Sequence, residues 1–204
     1  MGQVTSGVRA ALSHPLVYSA FQSMMGGRAI RRALVSDHMH PEIGMKVLDI
    51  GCGPAGILEY LPDVDYWGFD VSSAYIESAR AKFGTRGRFV CRQFSLSDLE
   101  GFQRFDLVLA LGLIHHLGDE DALALFRLAH EALRPGGRFV SIDPCLEPGQ
   151  NPVARFLIRR DRGQNVRSRN GYELLAKDVF SDLIINVRHT AWIPYTHCIM
   201  ECKR

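Results

Sequence analysis

The sequence lacks most features that would direct a chain to a membrane, a secretory route or a metal. No apolar run is long enough to cross a bilayer, and residues 1–5 lack the charged-then-apolar layout of a secretory signal. The five cysteines are an odd number without the spacing of a disulfide framework or a zinc site. There is also no Asp-Asp-Asn-like cluster for magnesium. We therefore expect reduced thiols, a cytoplasmic location and no bound metal.

An excess of charge of one sign is missing too. The 204 residues include 24 basic and 22 acidic side chains, which gives a formal net charge of +2. Bulk charge therefore indicates no particular partner. Hydrophobic residues make up 47% of the chain, which is enough for the core of a single domain.

What the sequence does contain is a glycine-rich turn after a short apolar run. Residues 46–50 are typical of a buried strand, and the pattern G-x-G-x-x-G follows at Gly51, Gly53 and Gly56. Asp70 ends a second apolar run 21 residues after Asp49. A carboxylate at the end of a neighbouring parallel strand can accept hydrogen bonds from both hydroxyls of a ribose. The pair predicts a site for a nucleoside-containing small molecule; the alternative is a turn that only joins strand to helix.

The chain alternates predicted strands and helices over most of its length, which favours a parallel sheet with helices on both faces. Strands are expected at 46–50, 66–69, 88–92, 105–111 and 138–143. Helices are expected at 28–38, 55–61, 74–83 and from 119 or 120 to 133, with a turn at 134–137. The last third begins as a loop at 144, continues with a helix at 172–180 and ends in an antiparallel pair at 183–188 and 198–202.

Four segments in one order resemble the class I S-adenosylmethionine-dependent methyltransferases, in particular the small-molecule branch that includes ubiquinone-biosynthesis methyltransferases. They are residues 47–56, 68–70, 105–117 and 133–138. The Leu-Arg-Pro-Gly-Gly sequence before the fifth strand chiefly separates this interpretation from a dehydrogenase. The resemblance implies an α/β fold: a Rossmann-like doubly wound sheet, mostly parallel with a reversed last strand, in an α/β/α sandwich. It also implies S-adenosyl-L-methionine as the cofactor.

The chain is interpreted as a single methyltransferase domain over residues 1–204. Residues 1–40 would form an N-terminal helical lid, and residues 41–143 the cofactor-binding core. Residues 144–182 would form an acceptor-binding loop and helix, and residues 183–204 the terminal hairpin. Tyr18 in the lid is expected to face the substrate, with packing on the sheet as the alternative.

The family pattern also implies a set of cofactor-binding residues. Asp49 and the turn after it would surround the methionine part of the donor, Asp70 the ribose, and the remaining positions the adenine or the reactive sulfonium. Gln93 departs from the acidic residue that many members have, although its carbonyl can accept the same hydrogen bond. The full set is Asp49, Gly51, Cys52, Gly53, Asp70, Val71, Gln93, Phe94, Ala110 and Leu111.

Two histidines follow the fourth strand and are candidates for a general base. A neutral imidazole can take a proton near neutral pH, which helps if the acceptor is a hydroxyl. His116 is favoured slightly over His115; the alternative is that one packs and the other meets solvent. Asp143 ends the fifth strand at the same edge and would either orient the acceptor or support its loop.

An arginine-rich stretch lies in the expected acceptor region. Residues 155–169 hold six arginines and a single acid, Asp161. The planar guanidinium suits phosphate and carboxylate, so Arg162 and Arg167 are predicted to bind an anionic acceptor. The competing interpretation, a solvated helix face, is favoured.

The sequence therefore predicts methyl transfer to a small molecule, most simply O-methylation. The alternatives are an RNA or protein methyltransferase, a non-catalytic S-adenosylmethionine-binding partner of another protein, and an NAD-dependent oxidoreductase. Nucleic acid is disfavoured because Phe156 is the only aromatic residue among the arginines. The sequence identifies neither the acceptor nor the oligomeric state.

Overall fold

Seven strands form one mixed sheet in the computed structural model, which describes residues 27–101, 103–160, 163–190 and 195–204. The strand order is β3-β2-β1-β4-β5-β7-β6. Strands β1 to β5 pair in parallel, whereas β7 runs antiparallel to both β5 and β6. This confirms the predicted doubly wound sheet with a reversed last strand. The strands are β1 (Lys46–Ile50), β2 (Asp65–Asp70), β3 (Arg88–Cys91), β4 (Phe105–Leu111), β5 (Leu133–Pro144), β6 (Asp182–Thr190) and β7 (Tyr195–Lys203).

Five α-helices flank or follow the strands in the described residues. They are α1 (Gly27–Leu34), α2 (Ser73–Phe83), α3 (Asp119–Ala132), α4 (Pro152–Arg159) and α5 (Arg169–Lys177). Helix α1 continues as a π-helical turn over Val35–Met39, and short 3₁₀ segments cover Gly56–Tyr60, Gly84–Arg86, Leu96–Gly101 and Ile114–His116. No helix in these parts of the chain is long and apolar enough to cross a membrane.

Strand β4 shows how the sheet divides the core into two layers. Its side chains alternate between faces, so Val108 joins one buried cluster and Leu109 joins the other. The first cluster includes Phe126 of α3 and Tyr172 of α5, while the second includes Ile76 of α2. Because both faces of the strand are covered, the fold is an α/β/α sandwich.

Two predicted boundaries in the first two thirds of the chain differ from the structure. The helix expected at 55–61 is a 3₁₀ segment, because Ala55 lies in the left-handed region with φ of 53°. The turn expected at 134–137 lies within β5, where the register against β4 shifts. The Gly136 N–H donates to the Arg204 carbonyl at 2.9 Å, so this stretch is held at the sheet instead of turning away.

The last third also contains a helix that the sequence analysis did not predict. Helix α4 begins at Pro152, and the Asn151 side chain accepts hydrogen bonds from the N–H groups of Val153 and Ala154. The next helix begins three residues before its predicted start, since Ser168 caps it by accepting from the Gly171 N–H at 3.2 Å. The final antiparallel pair is confirmed.

Candidate active site

The glycine turn after β1 is fastened to β2 and presents bare backbone to open space. The N–H groups of Gly51 and Cys52 both donate to the Phe69 carbonyl, at 2.8 and 3.0 Å. Gly51 and Gly53 have φ values of 71° and 54°, which favour glycine. A Cβ placed on Gly53 would meet no described atom within 4 Å. The turn can therefore receive a ligand against its backbone.

Asp70 joins this turn to the end of β2. Its Oδ2 accepts a hydrogen bond from the Gly53 N–H at 2.9 Å, and its Oδ1 accepts one from the Ser72 N–H at 2.8 Å. Each carboxylate oxygen has a second lone pair, so both can still accept from a ribose hydroxyl. Val71 follows directly and is 61% exposed. The two residues offer a polar clamp beside an apolar surface, which fits a nucleoside.

Asp49 is buried, and one of its two carboxylate oxygens accepts a hydrogen bond from a side chain. Its Oδ2 accepts a hydrogen bond from the Tyr66 hydroxyl at 2.6 Å, whereas Oδ1 is buried and has no partner among the described residues. Burial raises the pKa of Asp49 to about 7, against the smaller lowering effect of the Tyr66 hydrogen bond. Burial and the neighbouring Asp49 in turn raise the pKa of Tyr66.

The side chain of Cys52 points away from the open side of the turn. A Cβ on Gly68 of β2 would lie 2.8 Å from its Sγ, so the thiol packs against that glycine. Burial, with Asp49 and Asp70 nearby, raises the pKa of this thiol, which keeps it protonated. Only the backbone of Cys52 is available to a cofactor.

The two residues after β3 take different positions. Gln93 is exposed, so its amide is accessible at the edge where the adenine is expected. Phe94 is 1% exposed and packs edge-on against Phe69, with ring centroids 4.9 Å apart. The side chain of Phe94 therefore belongs to the core, so its predicted contact with the cofactor stays a prediction.

The end of β4 brings the turn close to the predicted histidines. Ala110 is fully buried and Leu111 is partly buried. Leu113 reaches across to the glycine turn, since a Cβ on Gly51 would lie 3.0 Å from both its Cδ atoms. The segment that carries the histidines is thus in contact with the candidate cofactor site.

His115 and Asp143 form a buried pair at the ends of β4 and β5. The imidazole Nδ1 and the N–H of His115 lie 2.7 and 3.1 Å from Asp143 Oδ1. Because a carboxylate only accepts, the imidazole carries its proton on Nδ1 and Nε2 is the basic nitrogen. Asp143 Oδ2 is buried without a partner among the described residues. The side chains are 7% and 0% exposed.

His116 stacks on this pair and is more open to solvent. The centroids of the two imidazole rings are 4.1 Å apart, and His116 is only partly buried. The backbone at Gly163 lies against the His115 ring, since a Cβ on Gly163 would be 1.9 Å from His115 Cδ2. The Asn165 N–H also donates to the His115 carbonyl at 3.0 Å. Of the two histidines, His116 is the less buried, although its Nδ1 atom is enclosed by protein.

The predicted substrate-binding residues are only partly accounted for. Tyr18 and Arg162 lie outside the described residues, as does most of the expected lid. Arg167 is described, and its guanidinium is bound by protein groups, among them Asp119 and the Leu117 carbonyl. No group of three His, Cys, Asp or Glu in the described ranges is placed to hold a metal ion.

The order of the strands and the position of the glycine turn agree with the comparisons. A profile described as a methyltransferase domain matches residues 48–139. Residues 48–139 are therefore similar to a methyltransferase domain, as the resemblance in the sequence motifs implies. A solved phosphoethanolamine N-methyltransferase 2 from Haemonchus contortus superposes on this chain with a TM-score of 0.68 and 16% identity. The match covers 95% of the chain and 58% of that structure, and it supports the fold.

Curated relatives fall into two groups. Phosphoethanolamine N-methyltransferase 1 of Arabidopsis thaliana is 30% identical over 74% of the chain. A ubiquinone biosynthesis O-methyltransferase of Cereibacter sphaeroides is 32% identical over 55% of the chain. The matches cover 32% and 44% of the two relatives, so the chain spans about a third of the first and less than half of the second.

Three residues of the site were not predicted from the sequence. Tyr66 bonds to Asp49 from within β2, Leu113 contacts the glycine turn, and Gly163 covers His115. Tyr66 could have been suspected as the only hydroxyl in its apolar run. The positions of the other two depend on contacts between loops that are distant in sequence.

Proposed function

We propose that this methyltransferase binds S-adenosylmethionine at the Gly51–Gly53 turn and transfers its methyl group to a small molecule beside His116. The contact between Leu113 and Gly51 carries the proposal. It joins the turn that would hold the donor to the segment that carries a buried His–Asp pair. A donor site and a candidate proton acceptor would thereby be adjacent, which suits methyl transfer to a hydroxyl.

Two acidic residues, Asp70 and Asp49, support the proposed donor site. Asp70 would accept hydrogen bonds from both ribose hydroxyls while the Gly53 N–H holds it in place. Asp49 would face the methionine end, where a buried carboxylate oxygen suits an ammonium group. The bound donor supplies an electrophilic methyl group on its sulfonium, so the protein has to align the acceptor and exclude water.

The acceptor side is supported by the arrangement of the two histidines. Asp143 fixes the tautomer and the orientation of His115, and the ring of His115 supports His116 from behind. His116 would take the proton of a hydroxyl as its oxygen bonds to the methyl group, or the proton of an ammonium group before its nitrogen attacks. The bond between the methyl group and the sulfonium would break in the same step, and S-adenosylhomocysteine would be the leaving group. His115 and Asp143 act as positioning residues in this proposal.

For the acceptor, we propose a small anionic molecule with a hydroxyl or amine as the methylated group. O-methylation is the simpler prediction from the sequence. The names of the relatives include an N-methyltransferase as well as an O-methyltransferase. The phosphate in the substrate named for the Arabidopsis relative supports an anionic acceptor, as do the exposed Arg155 and Arg159 of α4. All five cysteines are free thiols, which supports a reducing location such as the cytoplasm.

A titration followed by a turnover assay tests the proposal. The protein is titrated with S-adenosylmethionine, S-adenosylhomocysteine and NAD, and heat is recorded. Production of S-adenosylhomocysteine is then measured with phosphoethanolamine, ethanolamine and a catechol. Binding of the first two ligands with turnover on one acceptor supports the proposal. Binding of NAD alone would favour an oxidoreductase, and donor binding without turnover on any acceptor would favour a non-catalytic partner.

A further inference from the structure

Arg167 uses every one of its donors within the protein. Nε and Nη2 donate to Asp119 Oδ1 at 3.0 and 2.6 Å, and Nη2 also donates to the Leu117 carbonyl at 2.8 Å. Nη1 donates to the carbonyls of Ile114 and Asn165 at 3.3 and 3.1 Å. A guanidinium has five N–H donors, and these are five hydrogen bonds. No donor is left for an anion, which argues against the predicted role of Arg167 in binding the acceptor.

The acceptors that Arg167 holds lie on either side of the two histidines. Ile114 directly precedes His115, and Leu117 directly follows His116. Three N–H groups inside this turn are themselves bonded: that of His115 to Asp143, that of His116 to the Leu113 carbonyl and that of Leu117 to the Ile114 carbonyl. Arg167 therefore fixes both ends of a short, internally bonded turn.

Arg167 also ties this turn to the end of β5. Its carbonyl accepts a hydrogen bond from the Leu146 N–H at 3.1 Å, and its guanidinium lies 5.8 Å from the ring centroid of Tyr172. The Tyr172 hydroxyl donates to the Pro144 carbonyl at 3.0 Å, next to Asp143. One side chain thus connects the loop after β4, which carries the histidines, with the loop after β5, which carries their carboxylate.

We propose that Arg167 is a positioning residue, which holds the His115–His116 turn against Asp143 and does not touch the acceptor. The proposal rests on the proposed function of the site. The Arg167 side chain is 11% exposed, whereas that of its partner Asp119 is 78% exposed. Asp119 therefore offers a way to disturb the clamp from the surface of the molecule.

Amide hydrogen exchange, recorded by NMR on the full chain with S-adenosylhomocysteine, tests the clamp without depending on turnover. Arg167→Lys keeps the charge but cannot make all five hydrogen bonds. We expect the amides of His115, His116 and Leu117 to exchange at least about tenfold faster in this variant, while those inside β4 keep their rates. Asp119→Ala should produce a smaller increase, and the double variant should exceed Arg167→Lys only slightly. Unchanged exchange in the turn, or equal acceleration throughout β4, would overturn the proposal.

Kinetics with the acceptor found in the turnover assay separate positioning from binding. Arg167→Lys should lower kcat by about tenfold or more while the acceptor KM changes little, because the histidine moves relative to the reacting atoms. Asp119→Ala should lower kcat in the same direction. The exposed Arg127 of α3 provides the matched control, and Arg127→Lys should keep the wild-type kcat. A raised KM with unchanged kcat would mean that Arg167 binds the acceptor. A wild type without turnover contradicts the proposed function, whereas the exchange rates still decide what Arg167 does.

Discussion

The two halves of the candidate site are built by different means. On the donor side, the turn of Gly51 to Gly53 is held by backbone hydrogen bonds to β2, and one carboxylate, Asp70, completes it. On the acceptor side, three loops are joined by side chains, with Arg167 at the centre and the His115–Asp143 pair beneath. The first half is local in sequence, and the second is assembled from distant segments.

The two halves of the candidate site therefore differ in which substitutions they tolerate. A turn held by main-chain bonds to a central strand constrains few side chains, so the donor site depends on glycine and two acids. A site held by side chains depends on each of them, and a single substitution can move the proton acceptor by a fraction of an ångström. We expect variants of the acceptor side to change turnover and variants of the donor side to change cofactor affinity.

The largest effect is expected from removing the proposed general base. His116→Ala should lower kcat by about a hundredfold or more, the range of a general base, with donor affinity unchanged. Turnover and the S-adenosylhomocysteine dissociation constant are measured in parallel. His189→Ala, on the exposed strand β6, is the control. If His116→Ala retained full turnover with the wild-type pH profile, the proposed base would be wrong.

The donor half should respond strongly to the loss of Asp70. Asp70→Ala removes the proposed hydrogen-bond acceptor for both ribose hydroxyls and the acceptor that holds the Gly53 N–H. Because each hydrogen bond to a charged group contributes roughly 1.5–3 kcal/mol, the donor dissociation constant should rise at least about tenfold. Calorimetric titration measures it. Asp65→Ala, at the other end of the same strand, should leave donor affinity as it is.

Asp49 should make stability depend on pH in an unusual direction. Folding raises the pKa of its carboxyl from 3.8 to about 7, so its contribution to stability is full below pH 4 and is lost as pH rises through 7. This increase in the pKa corresponds to a contribution of at most about 4 kcal/mol to the free energy of unfolding. The measurement is the difference in free energy of unfolding between the wild type and Asp49→Asn. We expect this difference to fall, to the disadvantage of the wild type, as pH rises from 4 to 8. Parallel curves would contradict the raised pKa.

The smallest effect is expected from Cys52. Its thiol packs on Gly68 and only its backbone faces the ligand space, so Cys52→Ala should change the donor dissociation constant by less than about twofold. The same variant loses a buried sulfur and should be roughly 1 kcal/mol less stable. A large loss of donor affinity with little loss of stability would show that the side chain contributes to binding.

Features that depend on neighbouring residues could be predicted from the sequence, and those that depend on distant ones could not. The β4 bounds at 105–111 were predicted because that run is continuously apolar. Helix α4 was missed because prolines and a glycine around it favour a loop, although Asn151 and Pro152 start the helix. The partners of Arg167 include Asp119 and Ile114, which are 48 and 53 residues away, so the charge pattern predicted an anion site instead of a clamp.

The position of β7 also bears on how the molecule is made. This strand follows β6 in the chain, yet it lies between β5 and β6, where it supplies hydrogen bonds to both. Until residues 195–203 have left the ribosome, neither β5 nor β6 can pair with it. A nascent chain paused before that point therefore exposes an unprotected strand edge of the kind that favours aggregation.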